Sequence, residues 1–341
     1  MKAAVIVKVD APVEIHDVEL TSLKVGQVKV RVLVSGLCGS QLQEISGLKG
    51  NSKFMPHLFG HEGCGIVEEI GEGVTKVKVG DKVVMHWRVG AGIESTFPSY
   101  VLNGKSITSG KVTTLSEYSI VSENRITAVP ANTSEELCAL LGCSLTTALG
   151  TITNEAELKF GESVMVIGCG GVGLNLIQGA KMASAYPIIA VDVADDKKNL
   201  CLNMGASSFI NSNKESLKTI LGNDKIDVIL DASGCADVVG NNIGFLSDSG
   251  RYIIVGQFKP DETLNGIHAN TLFLGQGKTI KATQGGKTNP QEDIARYVKL
   301  HTAGLLNISG LVTHEFSLTD INKAVETLRS GKAGRILIRM N

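Results

Sequence analysis

The sequence predicts an α/β chain in which a doubly wound parallel sheet interrupts a β-rich domain. Three observations lead there. An apolar run, Val164–Ile167, breaks into the glycine turn Gly168-Cys169-Gly170-Gly171-Val172-Gly173, and a second apolar run, Ile188–Val191, ends at Asp192. From about Leu145 to Thr283, short apolar runs alternate with helical patterns. Before that stretch, residues alternate apolar and polar in short runs, and after it the chain closes on one more strand, Arg335–Arg339.

The glycine turn fits the physics of a bound dinucleotide. Gly168 permits a tight turn, Gly170 lets backbone approach a pyrophosphate, and Gly173 lets a helix pack close to the strand. Gly171 and Val172 open that helix, whose first N–H groups are free for an anion. Asp192 follows roughly 20 residues on, where a carboxylate can accept both ribose hydroxyls and repels a 2′-phosphate. NAD is therefore favoured over NADP. In a chain with 39 glycines the turn alone would be weak, and a glycine turn that binds nothing is the bland alternative. The strand before it, the helix after it and the terminal acid supply the required context.

Composition bounds the rest. A length of 341 residues suggests two domains, each able to bury a core. The net charge of −1 gives no general attraction to nucleic acid or to an anionic membrane. The seven cysteines are odd in number and contain no CxxC pair, so they read as reduced thiols rather than a disulfide framework. The first apolar stretch meets Asp10 too soon for a signal sequence, and no uninterrupted apolar run is long enough to span a bilayer. A cytoplasmic location is the expectation.

Taken in order, KAAVIVKV and QVKVRVLVSG read as antiparallel strands. The second ends at Leu37-Cys38-Gly39-Ser40, and residues 41–56 read as helix, then loop. Gly60-His61-Glu62-Gly63-Cys64-Gly65 leads into further strands as far as Tyr118–Val129. Ala131–Gly142 is a helix capped by Thr133 or Ser134, with Glu135 and Glu136 in its first turn. After the glycine turn and its flanking strands, helices are expected over Asp195–Met204, Ser212–Leu221 and Ala236–Leu246. Strands are expected over Asp227–Asp231, Arg251–Val255 and Thr279–Thr283. Pro290 at a first helical position, with Glu292 and Asp293 behind it, starts a helix. Ser317–Asp320 opens another, Ile321–Arg329. The β-rich domain is thus expected over 1–144 and 285–341, and the nucleotide domain over 145–284.

Cys38, His61 and Cys143 each sit beside a glycine near the inferred domain junction. Two thiolates and an imidazole suit zinc, and three protein ligands leave the open fourth position of a catalytic site. Spacing does not decide this. A histidine in GHEG is by itself more often structural, and Cys143 alone reads as a small buried core residue.

The chain resembles, from end to end, the zinc-dependent alcohol dehydrogenases of the medium-chain dehydrogenase/reductase superfamily. Cys38-Gly39-Ser40 resembles the segment with the first zinc ligand and the proton-relay hydroxyl, Gly60-His61-Glu62-Gly63 the GHE signature, and Gly142-Cys143 the third-ligand segment. Lys197 matches the ribose-contacting lysine. Gly331-Lys332-Ala333-Gly334-Arg335 matches the segment that supplies an arginine to the pyrophosphate. The resemblance implies a GroES-like catalytic domain beside a Rossmann domain, one catalytic zinc held by Cys38, His61 and Cys143, and Glu62 behind it as a transient ligand. It implies hydride transfer between NAD and a small alcohol or polyol and its carbonyl, with Ser40 passing the proton, in a homodimer or homotetramer. Thr147 matches a position packed against the nicotinamide, or is an ordinary helix residue. Trp87 matches a pocket wall, or is a plain core or surface aromatic. Arg88 is either solvent-exposed or an anchor for a carboxylate, phosphate or polyol.

Three departures stand out. Residues 87–110 hold no cysteine, so no structural zinc site is expected. Gln41 and Gln43 stand where relatives often carry Asp and His. An amide at 41 could still orient His61, but Gln43 cannot titrate, so water or a residue elsewhere must take the relayed proton. Gly39 stands where some relatives place a pyrophosphate-binding arginine, leaving that work to Arg335 and the helix N-terminus. Two competing readings are a zinc-free reductase of the same superfamily and a catalytically silent dinucleotide-binding redox sensor.

Overall fold

The computed structural model describes residues 1–50, 52–274 and 276–340. The chain divides into two compact units: Met1–Thr146 with Asn289–Asn341, and Thr147–Thr288.

The first unit is built on β-sheet. Its central strand, Gln27–Leu37, buries Val28, Val30, Val32 and Val34 at a period of two, the spacing that puts side chains on one face. Val28, Val30 and Val32 pack with Val67, Val83, Met85 and Ile126 in one core cluster. Gln27–Leu37 pairs antiparallel with Glu62–Ile70, with Tyr118–Ser122 and with Arg335–Arg339. Glu62–Ile70 pairs in turn with Lys82–His86. This pairing positions the site. Ser35 lies opposite Gly63, Glu62 opposite His86, and Ile336 opposite Leu37. The residues just beyond Leu37, just before Glu62 and at the start of Arg335–Arg339 therefore share one end of the sheet.

The helix Glu135–Leu141 starts at Ser134, whose side chain accepts from the Leu137 N–H. Its first-turn carboxylates are tied to the sheet: Arg339 donates to Glu135 at 2.8 Å and to Glu136 at 2.6 Å. In the tail, Pro290–Thr302 and Ile321–Arg329 are helices, as proline at the first position and the apolar spacing predict.

The second unit is a parallel sheet with Val164–Ile167 at its centre. Its order runs Ser208–Asn211, Ile188–Asp192, Val164–Ile167, Ile226–Asp231, Leu246–Ile254, Thr279–Ala282. The order reverses direction beside Val164–Ile167, as in doubly wound nucleotide-binding folds. Val164–Ile167 and Ile188–Asp192 are buried at every position, as strands covered on both faces must be. Two expectations are corrected here. The segment expected as a helix over 212–221 is helical only over Leu217–Leu221, behind a Ser216 cap. The strand Ser208–Asn211 before it reads SFIN, too short and polar to show a pattern, and it is defined by pairing with Ile188–Asp192. The helix expected over 236–246 ends at Asn242, and Leu246 already begins the next strand. Among the described residues, no single helix is long and apolar enough to cross a membrane.

Candidate metal centre and nucleotide turn

Cys38 leaves the sheet at the end of Gln27–Leu37 and caps the helix Gly39–Ile45. The Gln41 side chain accepts from the Cys38 N–H at 2.6 Å, closing a capping box that holds the cysteine at the helix entry. The Gln41 oxygen thus holds Cys38 rather than His61, which corrects the role expected for it. The spacing Cys38-x-x-Gln41 was the sequence signal for this.

Cys143 reaches the same place through a glycine. A Cβ on Gly142 would stand 2.5 Å from Met85 O and 2.8 Å from Glu62 Cα. Only glycine lets the end of the helix Glu135–Leu141 approach the Glu62 strand this closely. Cys38, His61, Glu62 and Cys143 come together as a result, with candidate ligand atoms all within 4.8 Å of one another.

The electrostatics of the cluster call for a cation. The Cys143 thiol, hydrogen-bonded to Cys38, holds the Cys38 thiol well below its ordinary value despite burial, and the same contact pushes Cys143 well above its own. Burial pulls the His61 imidazole down, but the Cys38 contact outweighs it, and His61 ends raised. Burial raises the Glu62 carboxyl against the pull of Arg335. Two thiolates and a carboxylate this close together cannot all carry charge without a compensating ion. Arg335 answers one carboxylate oxygen: its Nη2 donates to Glu62 Oε1, and its side chain is only 4% exposed. Glu62 Oε2 is buried without a hydrogen-bond partner among the described residues. Two thiols, one imidazole and an orphaned carboxylate oxygen fit a borderline-soft divalent cation. The Arg335–Glu62 pair spans 273 positions of sequence, and nothing in the sequence singled out its geometry.

Trp87 and Arg88 follow the strand Lys82–His86 and are half-buried, with the Arg88 guanidinium 5.7 Å from the centre of the Trp87 ring. Both carbonyls are held. Arg125 Nη1 donates to Trp87 O, and His86 Nδ1 donates to Arg88 O at 2.8 Å. His86 Nε2 then accepts from Thr127 Oγ1 at 2.9 Å. Burial holds His86 down to about 4, and the neutral ring suits both contacts. In the cysteine-free segment 87–110, Glu94 accepts from Asn124, Arg125 and Lys111.

In the second unit, Gly168 has φ +83, and a Cβ there would meet Ser233 N at 2.8 Å. A Cβ on Gly173 would lie 1.9 Å from Gly168 O, so strand and helix meet only through glycine. Gly170 caps the helix Gly171–Met182, and a Cβ there would meet nothing within 4 Å. The space above the Gly170 backbone is open to a ligand. Asp192 closes the second strand. It accepts from Cys169 N at 2.6 Å, Val193 N at 2.8 Å, Ala194 N at 3.0 Å and Lys197 Nζ at 3.3 Å. The acid and the lysine are thereby fixed beside the turn. Thr147 begins this unit on the helix Ser144–Gly150 and is buried.

Two family profiles match the chain: one described as an alcohol dehydrogenase GroES-like domain over residues 24–131, and one described as a zinc-binding dehydrogenase over residues 171–303. The chain is 30% identical to alcohol dehydrogenase 6 of Peromyscus maniculatus, over 99% of this chain and 97% of that protein. It is similar to the solved structure of an alcohol dehydrogenase zinc-binding domain protein from Burkholderia ambifaria, with TM-score 0.91, 26% identity and coverage of 100% and 98%. It is also similar to the benzyl alcohol dehydrogenase of Acinetobacter calcoaceticus, with TM-score 0.90, 25% identity and coverage of 100% and 99%.

Proposed function

The chain belongs to the zinc-type alcohol dehydrogenase family of the medium-chain dehydrogenase/reductase superfamily, and on that premise we propose that it oxidises a small alcohol or polyol with zinc and NAD. The observation that carries this reading is the cluster Cys38, His61, Glu62 and Cys143, with its orphaned Glu62 oxygen. Cys38, His61 and Cys143 would hold the zinc, leaving a fourth position open, and Glu62 would serve as a transient ligand. Bound there, zinc supplies a Lewis acid that acidifies an alcohol hydroxyl or, in reverse, polarises a carbonyl. NAD supplies the hydride acceptor.

The remaining work belongs to the chain. Arg335 neutralises Glu62 from one side, so the carboxylate can approach and leave the cluster without being abandoned as a bare buried charge. Arg335 would also answer the pyrophosphate. Ser40, two residues from Cys38, would move the alcohol proton, since a hydroxyl both accepts and donates. Gly168, Gly170, Gly171, Val172 and Gly173 would cradle the pyrophosphate, with Asp192 and Lys197 on the adenosine ribose. Thr147 would pack on the nicotinamide, Trp87 would wall the substrate pocket, and Arg88 would anchor a polar or anionic substrate group. The enzyme would act in the cytoplasm as a homodimer or homotetramer.

The test is a panel of alcohols, polyols, sugar phosphates and hydroxy acids, with NADH absorbance as the readout. Zinc-dependent reduction of NAD by at least one alcohol is expected. Its absence across the panel from protein that carries zinc and binds NADH would overturn the proposal.

A further inference from the structure

Oxidation of an alcohol releases a proton as well as a hydride, and the proton needs a resting place. Ser40 can relay it but not store it, and Gln43 has no titratable atom. The helix Gly39–Ile45 offers a carboxylate one turn further on. Residues four apart share a helix face with Cβ atoms roughly 5–6 Å apart, so Ser40 and Glu44 face the same way.

Glu44 does not stand alone. Its Oε1 is 3.2 Å from His57 Nε2, and the other ring nitrogen, Nδ1, is 3.2 Å from Thr108 Oγ1. The Thr108 hydroxyl donates to Phe54 O, so its oxygen is left to accept. Both nitrogens of His57 therefore face acceptors. A neutral imidazole carries one N–H, which leaves the other nitrogen lone pair to lone pair against its neighbour. One more proton, placed between Nε2 and Glu44 Oε1, satisfies every contact. The pair is sheltered, with side chains 8% and 14% exposed. Among the described residues, Lys49, whose Nζ is 3.8 Å from Oε2, and His61, through its charge, also act on Glu44. Burial pushes the Glu44 carboxyl up, but the His57 contact and these charges outweigh it and keep it below the ordinary carboxylate value.

We propose that the Glu44–His57 pair is the terminal proton acceptor of the oxidation, an assignment that rests on the function proposed above. The substrate O–H bond breaks, and its electron pair becomes the second bond of the carbonyl. The C–H pair leaves as hydride to NAD, the oxidant. Ser40 Oγ takes the hydroxyl proton as it gives up its own, so its charge is unchanged. The proton passed on forms a bond with the Nε2 lone pair of His57, held by the Glu44 carboxylate, and the pair returns it to solvent. In carbonyl reduction the same proton travels back.

The test compares zinc-loaded wild type, His57→Asn and Glu44→Gln in alcohol oxidation across pH, with zinc content and NADH affinity measured alongside. His57→Asn should lose roughly 10²-fold in kcat at neutral pH, the low end for a proton-transfer group, with zinc and NADH binding unchanged. Its residual rate should rise with buffer concentration, and added imidazole should restore turnover. A merely structural histidine would not respond in that way. If His57→Asn fails to fold, Glu44→Gln keeps the shape and should still lower kcat with little change in KM. Variants with the wild-type pH profile, or a loss that imidazole does not relieve, overturn this assignment alone. A wild-type protein that binds zinc and NADH but oxidises no alcohol overturns the proposed function and this assignment with it.

Discussion

Replacing Gly142 by alanine tests how the candidate centre is assembled. The new Cβ would lie 2.5 Å from Met85 O and 2.8 Å from Glu62 Cα, where ordinary contact begins at 3.4 Å. The chain must give by 0.9 Å against the carbonyl and by 0.6 Å against the Cα, each the difference from 3.4 Å. Both obstacles are backbone of paired strands, so no side-chain rotation relieves them. Overpacking of this kind costs about 1–3 kcal/mol. The displacement falls on the residue before Cys143, so zinc affinity should drop by roughly 10–100-fold, as when a ligand loses its support. Competition with a chromogenic chelator measures the affinity, and urea unfolding measures the stability. Gly39→Ala is the control beside the other thiol, since a Cβ there meets nothing within 4 Å. Unchanged zinc affinity and stability in Gly142→Ala, or equal damage in Gly39→Ala, would refute the reasoning.

The remaining predictions concern proton, cofactor and pH. Ser40→Ala should lower turnover by roughly 10²-fold or more while zinc content and NADH affinity hold, and Ser40→Thr should keep substantial activity because the hydroxyl remains; steady-state rates beside binding measurements decide it. Asp192→Ala should narrow the preference for NAD over NADP in kcat/KM, and a wild type that prefers NADP would contradict the role given to that carboxylate. His86 is held at about 4, against 6.5 for a free histidine, so on acidification the unfolded chain takes up this proton first. The stability this contributes is complete above about pH 6.5 and is lost as pH falls towards 4, up to about 3 kcal/mol. Urea unfolding of the zinc-free protein at pH 7.5 and 5 should show the loss, and a His86→Gln variant with an equal loss would contradict it.

Much of the frame was legible because its signals are local. Val28, Val30, Val32 and Val34 announce a half-buried strand by their spacing, and Pro290 and Ser317 mark helix starts. The glycine turn is legible for the same reason. Gly168 needs a positive φ and Gly173 a close approach, demands that only glycine meets. Ser208–Asn211 was illegible because four mixed residues hold no pattern, and only the neighbouring strand makes them a strand. At the candidate site, the residue types of Cys38, His61 and Cys143 pointed to a metal, but their convergence depends on antiparallel pairing and on the Gly142 approach. Family resemblance, not spacing, brought the three together in the sequence reading. The pairing of Arg335 with Glu62 and of Glu44 with His57 joins residues whose contact is decided by tertiary structure, and no local pattern encodes it.

The most direct test of the central claim is a zinc titration of stripped protein, with alcohol-dependent NADH formation recorded at each step. Turnover should rise in proportion to bound zinc and level off at about one zinc per chain, the stoichiometry of a single open site. Full turnover without zinc, or a second tightly held zinc needed to reach it, would contradict the account.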